Sequence, residues 1–327
     1  KGMGIRLLAV GVQGINGEFD CEYKTIFGSV PLILLPNHNR AVWRAIEAAG
    51  LPLDQGPRYE LRLGLSAGYV AAIISELQVG SQPFVLHSHD FTGLYVAGNA
   101  RHLLPRSAAG SAIKWIHDIH EYVQGYHIIH PTLQALGCRW EGHYYPTADT
   151  LTTVSGELSR RLKVHYNLPD IGIVYNCNKI AARHKYRGEP LRTKFGLGSE
   201  PVLVHSGSIR PGRGVDHLIN ALPAIPDAHL LLLTGKLSDY TEGLLDLAVS
   251  LGVRDRILVH PLLPYDEVAS FIADADVGMI THENYGNADV SLPNKLFDYL
   301  LAELPVVCAG TTALAQLLVS WPVGQTF

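Results

Sequence analysis

The stretch Val290–Cys308, with the sequence VSLPNKLFDYLLAELPVVC, predicts a helix followed directly by a strand. Apolar residues recur at helical spacing over residues 296–304, which indicates one apolar stripe on an amphipathic helix. We expect Ser291 to cap this helix and Pro293 to lie in its first turn. The second proline of the stretch ends the helix, and the last three residues predict a short buried strand.

Lys295 is the unusual residue of this helix. A cation in the first turn faces the positive end of the helix dipole, which costs about 0.3–1 kcal/mol. The cost reverses when an anion binds there, because free backbone N–H groups, the dipole and the ammonium then act together. Ser291, Lys295 and Asp298 share one face, so a diphosphate followed by a sugar diol would fit. A solvent-exposed Lys295–Asp298 pair is the alternative, and spacing does not separate the two.

The segment SLPNKLFDY, followed by LPVV, resembles the donor-binding segment of family 4 glycosyltransferases, which are retaining enzymes of the GT-B fold. The resemblance implies that Asp298 holds the nucleotide ribose and that the preceding loop meets the diphosphate. The family usually has two glutamates separated by seven residues. Here Asp298 stands at the second position, Val290 at the first, and Asp289 beside it. Glu303 stands where the family usually has glycine.

Composition limits the class of protein. The chain has 327 residues with 47% hydrophobic and 17% charged content, which is typical of two globular domains. A formal net charge of −4 gives no reason to expect nucleic acid. The four cysteines form no Cys-x-x-Cys pair, which favours a reducing compartment. The apolar runs are too short to span a bilayer and we find no signal peptide, so we expect a cytoplasmic protein, with peripheral membrane contact as an alternative.

The first half of the chain predicts strands that alternate with helices. Its strands are uniformly apolar, which indicates a parallel, doubly wound sheet that binds ligands at the carboxyl ends of its strands. The segment from residue 18 to residue 35 does not fit this alternation. Ser155 is expected to cap the helix that follows the fourth strand. The predicted strands are Ile5–Val10, Phe84–His87, Ala112–Ile116, Thr150–Val154 and Ile171–Tyr175, and the predicted helices include Ala41–Ala49, Leu65–Leu77 and Leu94–Leu104.

Polar clusters follow three of these strands. Gly14 lies in a glycine-rich turn after the first strand, where backbone could approach a phosphate; a plain loop is the alternative. The clusters His89–Asp90 and Asp118–Glu121 end two later strands. The resemblance implies that His120, with Glu121 beside it, lies near the transferring sugar, and that His89 and Asp90 face the acceptor. Taken without the resemblance, a histidine in such a place is more often a loop residue bonded to backbone than a catalytic group.

The second half begins a new strand–helix series at residue 202. The turn Ser206–Gly214 places Arg210 and Arg213 among glycines before a helix, which makes either a phosphate cradle or a basic surface loop. The turn resembles the family's Gly-Arg…Lys-Gly element, with Arg213 at the lysine position and Ser208 at the arginine position. The predicted strands are Val202–His205, His229–Thr234, Arg256–His260, Val277–Thr281 and Val306–Ala309, with helices at Val215–Leu222, Tyr240–Leu251 and Asp266–Ala273.

Two motifs in this half lack the chemistry that their letters suggest. Thr234–Leu237 does not have the spacing of a P-loop. Asp274-Ala275-Asp276 spells the metal-binding pair of other glycosyltransferases, but it joins a helix to a buried strand, and we interpret it as structural. We therefore expect an acceptor-side domain over residues 1–188, a linker over 189–200 and a nucleotide-sugar domain over 201–327 that lacks the family's last crossover helix.

The sequence thus predicts an α/β protein with two doubly wound domains of GT-B type facing a cleft. Its predicted activity is transfer of a sugar from a UDP- or GDP-type donor to an unidentified acceptor (a sugar, a lipid-linked glycan or a small molecule), with retention and with no metal or other cofactor. A nucleotide-sugar epimerase of the same fold and a two-lobed binding protein are the alternatives. The expected donor-binding residues are Gly14, Ser208, Arg210, Arg213, Leu262, Leu263, Asp289, Ser291, Leu292, Asn294, Lys295 and Asp298.

Overall fold

A computed structural model describes residues 9–12, 22–25, 28–35, 55–77, 84–104, 113–126, 130–235 and 237–327. Gly14 and the expected helix Ala41–Ala49 lie outside the described residues. The chain divides into two compact units, one formed by the residues up to Thr153 with Leu162–Gly172, the other by Val154–Arg161 with Ile173–Phe327. Among the described residues, no helix combines the length and apolar character that a bilayer span requires.

The described residues of the first unit form two small sheets. One has the order β1-β3-β2 and the other β4-β5-β6-β7. The strands are β1 (Ala9–Val12), β2 (Glu22–Thr25), β3 (Gly28–Leu35), β4 (Phe84–His89), β5 (Ile113–Ile119), β6 (Thr150–Thr153) and β7 (Gly172–Ile173). The helices that the structure describes in this part of the chain are α1 (Gln55–Leu77), α2 (Asp90–Leu103), α3 (Pro131–Tyr144) and α4 (Gly156–Tyr166), of which α4 has residues in both units.

Parallel pairing joins β4 to β5 and β5 to β6, as the apolar strands predict. The segment that did not fit a strand–helix alternation contains an antiparallel pair, in which β2 is followed by β3 after a two-residue connection. A hairpin needs no crossover helix, so this part of the chain lacks the helical periodicity of its neighbours.

The second unit is built on one six-stranded sheet of order β10-β9-β8-β11-β12-β13, and every pair in it is parallel. Its strands are β8 (Val202–Ser206), β9 (His229–Thr234), β10 (Ile257–Pro261), β11 (Val277–Ile280), β12 (Val306–Cys308) and β13 (Gly324–Thr326). Its helices are α5 (Leu191–Phe195), α6 (Val215–Ala221), α7 (Asp239–Ser250), α8 (Val268–Phe271), α9 (Gly286–Val290), α10 (Asn294–Leu301) and α11 (Thr312–Ser320).

The core of this unit lies on both faces of the sheet. Leu231 and Leu233 of β9 pack into one apolar cluster, and Leu230 and Leu232 pack into the other. A strand buried on both faces has no polar side, which is why β9 has an uninterrupted run of leucines.

The boundary between the units differs from the predicted one. Residues 173–200 belong to the second unit, whereas we expected a boundary at residue 188 and a linker after it. Leu191 is fully buried in the second core. Arg192 Nε donates to the Asp274 carbonyl at 2.8 Å, and its Nη2 donates to Asp276 Oδ2 at 2.7 Å. Leu191 and Arg192 therefore hold a stretch whose Gly/Pro content suggested a linker.

The same contacts show what the Asp-x-Asp pair does. Asp276 Oδ2 also accepts from the Val202 backbone N–H at 2.7 Å, and Asp274 Oδ2 accepts from the Arg192 backbone N–H at 3.2 Å. Both carboxylates thus fasten chain segments around the start of β8. The structural interpretation of this pair is confirmed.

The helix within the stretch Val290–Cys308 begins later than predicted. α10 starts at Asn294, and Pro293 before it is extended, with φ −70° and ψ 144°. Ser291 is not its cap: the Ser291 hydroxyl donates to the Ala288 carbonyl at 3.3 Å and lies at the end of α9, a helix that the sequence did not predict. Proline disfavours helical backbone in the residue before it, which moves the start of α10 past Ser291.

Candidate functional site

The turn after β8 carries the first part of the candidate site. Gly214 ends this turn with φ 65°, and a Cβ added there would lie 1.9 Å from the Thr281 carbonyl oxygen. Thr281 Oγ1 also donates to the Arg213 carbonyl at 2.9 Å. Glycine thus permits the turn to lie directly against the end of β11, with Arg213 fixed beside that strand end.

Two cations and two histidines meet at these strand ends. Lys295 Nζ lies 3.2 Å from His205 Nε2, and Arg213 Nη1 lies 3.0 Å from His282 Nε2. His205 is fully buried and His282 nearly so. Burial, followed by the nearby Lys295 charge, holds the pKa of His205 well below its usual range and lowers the pKa of His282 to about 2. Both imidazoles are therefore neutral and accept hydrogen bonds from the cations.

A neutral acceptor does not balance the charge of Lys295. Burial, followed by the neighbouring Arg213 charge, lowers the pKa of Lys295 to about 7. Within the part of the chain that the structure describes, Lys295 Nζ has His205 as its one hydrogen-bond partner and no carboxylate within 4.0 Å. Two neighbouring, half-buried cations repel each other, and the arrangement suits an anion with several negative charges.

Asp298 provides the acidic part of the site, one turn beyond Lys295 on α10. Its side chain is buried, and its Oδ1 has no hydrogen-bond partner among the described residues. Burial raises the pKa of Asp298 to about 6, although the Asn178 side chain opposes the shift. The Asn178 amide also donates to the Tyr265 carbonyl at 2.6 Å. A buried acceptor without a partner is rare, and a hydroxyl donor from a ligand would satisfy it.

Tyr299 explains how α10 is held in register with the sheet. Its hydroxyl donates to the Val204 carbonyl at 3.0 Å and accepts from the Ser206 backbone N–H at 3.0 Å. A Cβ on Gly278 would lie 2.3 Å from the Tyr299 ring, so β11 needs glycine at that position. The hydroxyl therefore joins the helix that carries Lys295 and Asp298 to the strand that carries the buried histidine.

The other residues of the second unit that were predicted to bind the donor differ in their exposure. Leu292 is buried in the core, so its side chain does not face a ligand. Leu262 lies on the loop after β10, and its N–H donates to the end of β9 at 2.8 Å, while Leu263 packs partly against the core. The exposed residues of this group are Ser208, Arg210, Leu262 and Asn294.

Asp289 has a structural role that the sequence did not indicate. Its Oδ1 accepts from the Thr312 backbone N–H at 2.8 Å and from the Thr312 hydroxyl at 2.9 Å, which fixes the start of α11. Its Oδ2 pairs with Arg161. Both oxygens are thus engaged within the protein, whereas we expected Asp289 to face a donor.

The first unit has its own polar cluster at the ends of β4 and β5. Asp118 Oδ2 lies 2.9 Å from His120 Nε2 and 3.3 Å from His89 Nδ1. The hydrogen bond to Asp118 raises the pKa of His120, although burial opposes the shift. Asp90 begins α2 with φ 57°, and Glu121 is half-exposed beside the cluster. The structure thus places His89, Asp90, His120 and Glu121 near the same strand ends.

Five residues of these two clusters were not predicted as site residues. His205 and His282 contact the cations of the second unit, and Tyr299 joins α10 to β8. In the first unit, Asp118 contacts His89 and His120, and His87 stands beside His89 with the ring centroids 4.4 Å apart. The signal was present for the histidines, because each lies at or near the carboxyl end of an apolar parallel strand. Tyr299 gave no such signal, since its position on α10 is equally suited to plain packing.

Comparison with known proteins is consistent with the geometry of the second unit. Residues 200–320 match the family profile described as glycosyl transferases group 1. The chain is 35% identical over 91 residues to a GDP-mannose-dependent alpha-(1-6)-phosphatidylinositol monomannoside mannosyltransferase of Mycolicibacterium smegmatis, covering 27% of this chain and 23% of the relative. It is 25% identical over 180 residues to a D-inositol 3-phosphate glycosyltransferase of Mycobacteroides abscessus, covering 54% and 36%. The chain thus spans only about a quarter to a third of these relatives.

Solved structures are similar over more of the chain. Sucrose-phosphate synthase from Thermosynechococcus elongatus has a TM-score of 0.61 at 16% identity, covering 79% of this chain and 63% of that one. Anabaena Alr3699/HepE, solved with UDP-glucose, has a TM-score of 0.60 at 16% identity, covering 88% and 69%. A glycosyltransferase from Rickettsia africae has a TM-score of 0.63 at 11% identity, covering 98% and 84%. The fold is therefore the two-domain α/β fold of GT-B glycosyltransferases, and residues 200–320 match a group 1 glycosyltransferase domain.

Proposed function

We propose that this chain transfers a sugar from a nucleoside diphosphate sugar to an acceptor. The observation that carries the proposal is the pair of cations Lys295 and Arg213, each hydrogen-bonded to a neutral buried histidine. Such a pair suits a strongly negative group, and Lys295 has no carboxylate partner among the described residues. The match of residues 200–320 to a group 1 glycosyltransferase profile supports the same conclusion.

The proposed chemistry breaks the bond between the anomeric carbon of the sugar and the diphosphate oxygen. The electron pair of that bond stays on the diphosphate. An acceptor hydroxyl forms the new bond to carbon, and its proton passes to the departing diphosphate, which leaves as nucleoside diphosphate. Lys295 and Arg213 stabilise the charge that develops on the leaving diphosphate, because their positions are fixed before the reaction. Arg210 and Ser208, exposed on the same turn, add further contacts to the phosphates.

Asp298 is assigned to the ribose of the donor. Its buried Oδ1 is an acceptor that has no partner among the described residues, and a ribose hydroxyl is a donor of suitable chemistry. The loop that carries Leu262 and Leu263 follows β10, and Tyr265 on that loop lies close enough to Asp298 to sense its charge. We assign the base to this loop. Uracil and guanine are the two candidate bases, since one similar structure holds UDP-glucose and one relative is named for GDP-mannose.

In the first unit we assign His120 and Glu121 to the transferring sugar and His89 and Asp90 to the acceptor side. These assignments rest on the resemblance and on the position of each residue at a strand end. Retention at the anomeric carbon likewise rests on the resemblance. We further propose that the diphosphate is bound without a metal ion, because three cationic side chains, Arg210, Arg213 and Lys295, supply the charge that a divalent ion would otherwise supply.

The test is a screen of nucleotide sugars, with products identified by mass spectrometry. A transferase should release nucleoside diphosphate from one donor and hydrolyse that donor slowly when no acceptor is present. An epimerase would instead convert the sugar while it stays attached to the nucleotide. Tight binding of a nucleotide sugar with neither reaction would contradict the proposal and indicate a binding protein.

A further inference from the structure

Four side chains that commonly bind metal ions stand on two adjacent parallel strands. His87 and His89 belong to β4, Asp118 belongs to β5, and His120 follows directly after that strand. The register pairs His89 with Asp118. Side chains two residues apart on a strand lie on the same face. The patterns His-x-His and Asp-x-His therefore project toward one face of the sheet edge, side by side.

The ligand atoms are separated as a tetrahedral ion requires. His89 Nδ1 lies 3.3 Å from His120 Nε2 and 3.3 Å from Asp118 Oδ2, and the third side of this triangle, His120 Nε2 to Asp118 Oδ2, is 2.9 Å. A tetrahedral zinc ion with bonds of about 2.0–2.1 Å needs neighbouring ligand atoms about 3.3 Å apart. The triangle is thus close to one face of such a tetrahedron.

His87 is the fourth candidate ligand. One ring nitrogen of His87, one of His89 and a carboxylate oxygen of Asp118 lie within 4.8 Å of one another, and the His87 side chain is exposed. The side chains of His89 and His120 are 51% and 30% exposed, so an ion could enter from solvent.

A second contact holds the carboxylate. The Thr152 hydroxyl donates to Asp118 Oδ1 at 2.7 Å, which fixes the plane of the carboxylate and leaves Oδ2 toward the imidazoles. Hydrogen-bonded support of a ligating carboxylate by a neighbouring side chain is a usual feature of metal sites. The alternative is a plain hydrogen bond between Asp118 and His120. That hydrogen bond would not explain why His87 stands beside these residues, nor why the ring nitrogens of His89 and His120 lie only 3.3 Å apart.

We propose that His87, His89, Asp118 and His120 form a binding site for a divalent transition-metal ion. Three imidazoles and one carboxylate are a ligand set that suits zinc, and they also bind cobalt and nickel. The site consists of residues of the first unit alone, and metal binding there does not depend on transfer activity. A bound ion would occupy Nε2 of His120, so we expect zinc to slow transfer without weakening nucleoside diphosphate binding; only this last expectation rests on the proposed function.

The test uses the purified chain after treatment with a chelator, titrated with Co²⁺ and then with Zn²⁺. We expect one Co²⁺ per chain, visible absorption bands typical of tetrahedral cobalt, and displacement by Zn²⁺. His89→Ala and Asp118→Asn should weaken binding by about 100-fold or more, and the near-isosteric Thr152→Val by about 10–100-fold. His102→Ala, which changes an exposed histidine of the same unit, should bind like the parent.

Circular dichroism of each metal-free variant separates loss of the site from loss of the fold. Absence of a stoichiometric tetrahedral cobalt signal in the parent would overturn the proposal. Folded His89→Ala and Asp118→Asn variants that bind like the parent would overturn it as well, and so would an equal loss in His102→Ala. Calorimetry with nucleoside diphosphate, with and without Zn²⁺, reports on the second unit separately.

Discussion

Lys295 combines charge, burial and a neutral partner in a way that makes its protonation sensitive to pH near neutrality. Its pKa of about 7 follows from burial and from Arg213. Above pH 7 the free protein therefore holds this amine largely neutral, while the unfolded chain keeps it charged up to its ordinary pKa of 10.5. Between these two values the unfolded state binds more protons, so this group makes the free energy of unfolding rise with pH.

Ligand binding should reverse that protonation. A diphosphate beside the amine favours its charged form, so we expect binding at pH ~8.5 to take up close to one proton through Lys295. Calorimetry in two buffers with different ionisation enthalpies measures this uptake. The Lys295→Ala variant corrects for protons that the diphosphate itself exchanges. Equal uptake in the parent and in the variant would show that Lys295 does not contact the anion.

Glu303 has a strained backbone conformation whose effect on stability can be tested. It has φ 61°, in the left-handed region that favours glycine, and it follows shortly after the end of α10. Relief of this backbone strain exceeds the added flexibility of glycine in the unfolded chain, so we expect Glu303→Gly to raise the free energy of unfolding by about 0.5–1 kcal/mol in denaturant titration. The Glu303→Ala variant is the control, since alanine keeps the strain; a gain as large in Glu303→Ala would contradict this explanation.

α10 is the element on which the candidate site of the second unit depends. Three of its side chains have separate tasks: Lys295 joins the cations, Asp298 lies one turn further, and Tyr299 bonds to β8. Leu296 and Phe297 bury its apolar stripe in the core. Because one short helix carries all of these contacts, its register decides whether the cation and the acid lie on the same face.

Removal of the Tyr299 hydroxyl tests that register. In Tyr299→Phe the Ser206 backbone N–H loses its acceptor inside the protein, which costs about 1–3 kcal/mol of stability. Urea titration should show this loss. The control is Tyr175→Phe, because Tyr175 packs against Phe297 through its ring and remains partly exposed. A loss of equal size in both variants would mean that the hydroxyl contacts of Tyr299 contribute nothing specific.

The elements that burial determines could be predicted from the sequence. β9 was predicted with the residue range that the structure shows, since a run of leucines buried on both faces leaves little choice. Ser155 was predicted to cap a helix, and its hydroxyl accepts from the Leu158 N–H at 3.1 Å. The predicted start of α10 is wrong because Ser291 lies at the end of α9 and because Pro293 disfavours helical backbone in the residue before it. The stretch predicted as a linker packs into the second unit, because the buried Leu191 outweighs local composition.

The candidate site was predictable to a different degree. Lys295 and Arg213 were predicted because a cation at a helix start and a basic glycine-rich turn each suggest an anion. The histidines that hold these cations come from β8 and from the end of β11, strands distant in sequence. The contact between each cation and its histidine depends on the order of the strands in the sheet, and residue spacing alone does not determine that order.

At the scale of the whole molecule, sequence likeness and fold likeness have different extents. The family profile matches residues 200–320, while the solved structures named above cover 79–98% of the chain at 11–16% identity. The fold of the chain is thus maintained by burial patterns that many sequences satisfy. The specific chemistry of the second unit depends on a few side chains at its strand ends.

The proposed metal independence of sugar transfer concerns the whole molecule, and chelation tests it. We expect transfer to continue after exhaustive chelation, because Arg210, Arg213 and Lys295 supply the positive charge. Substitution of Asp274 and Asp276, the Asp-x-Asp pair, would not test metal binding cleanly. These carboxylates hold Arg192 and the start of β8, so their loss would disturb the fold. Transfer that stops with chelator and returns with magnesium or manganese would contradict metal-free binding of the diphosphate.

The central claim is that Lys295 and Arg213 together bind the diphosphate of a nucleotide. Isothermal titration of the parent chain with UDP and with GDP, and of Lys295→Ala, Arg213→Ala and the exposed control Lys194→Ala, tests it most directly. We expect Lys295→Ala and Arg213→Ala each to weaken binding by about 1.5–3 kcal/mol, the scale of a charge-assisted hydrogen bond, and Lys194→Ala to bind like the parent. Parent-like affinity in both Lys295→Ala and Arg213→Ala would contradict the claim.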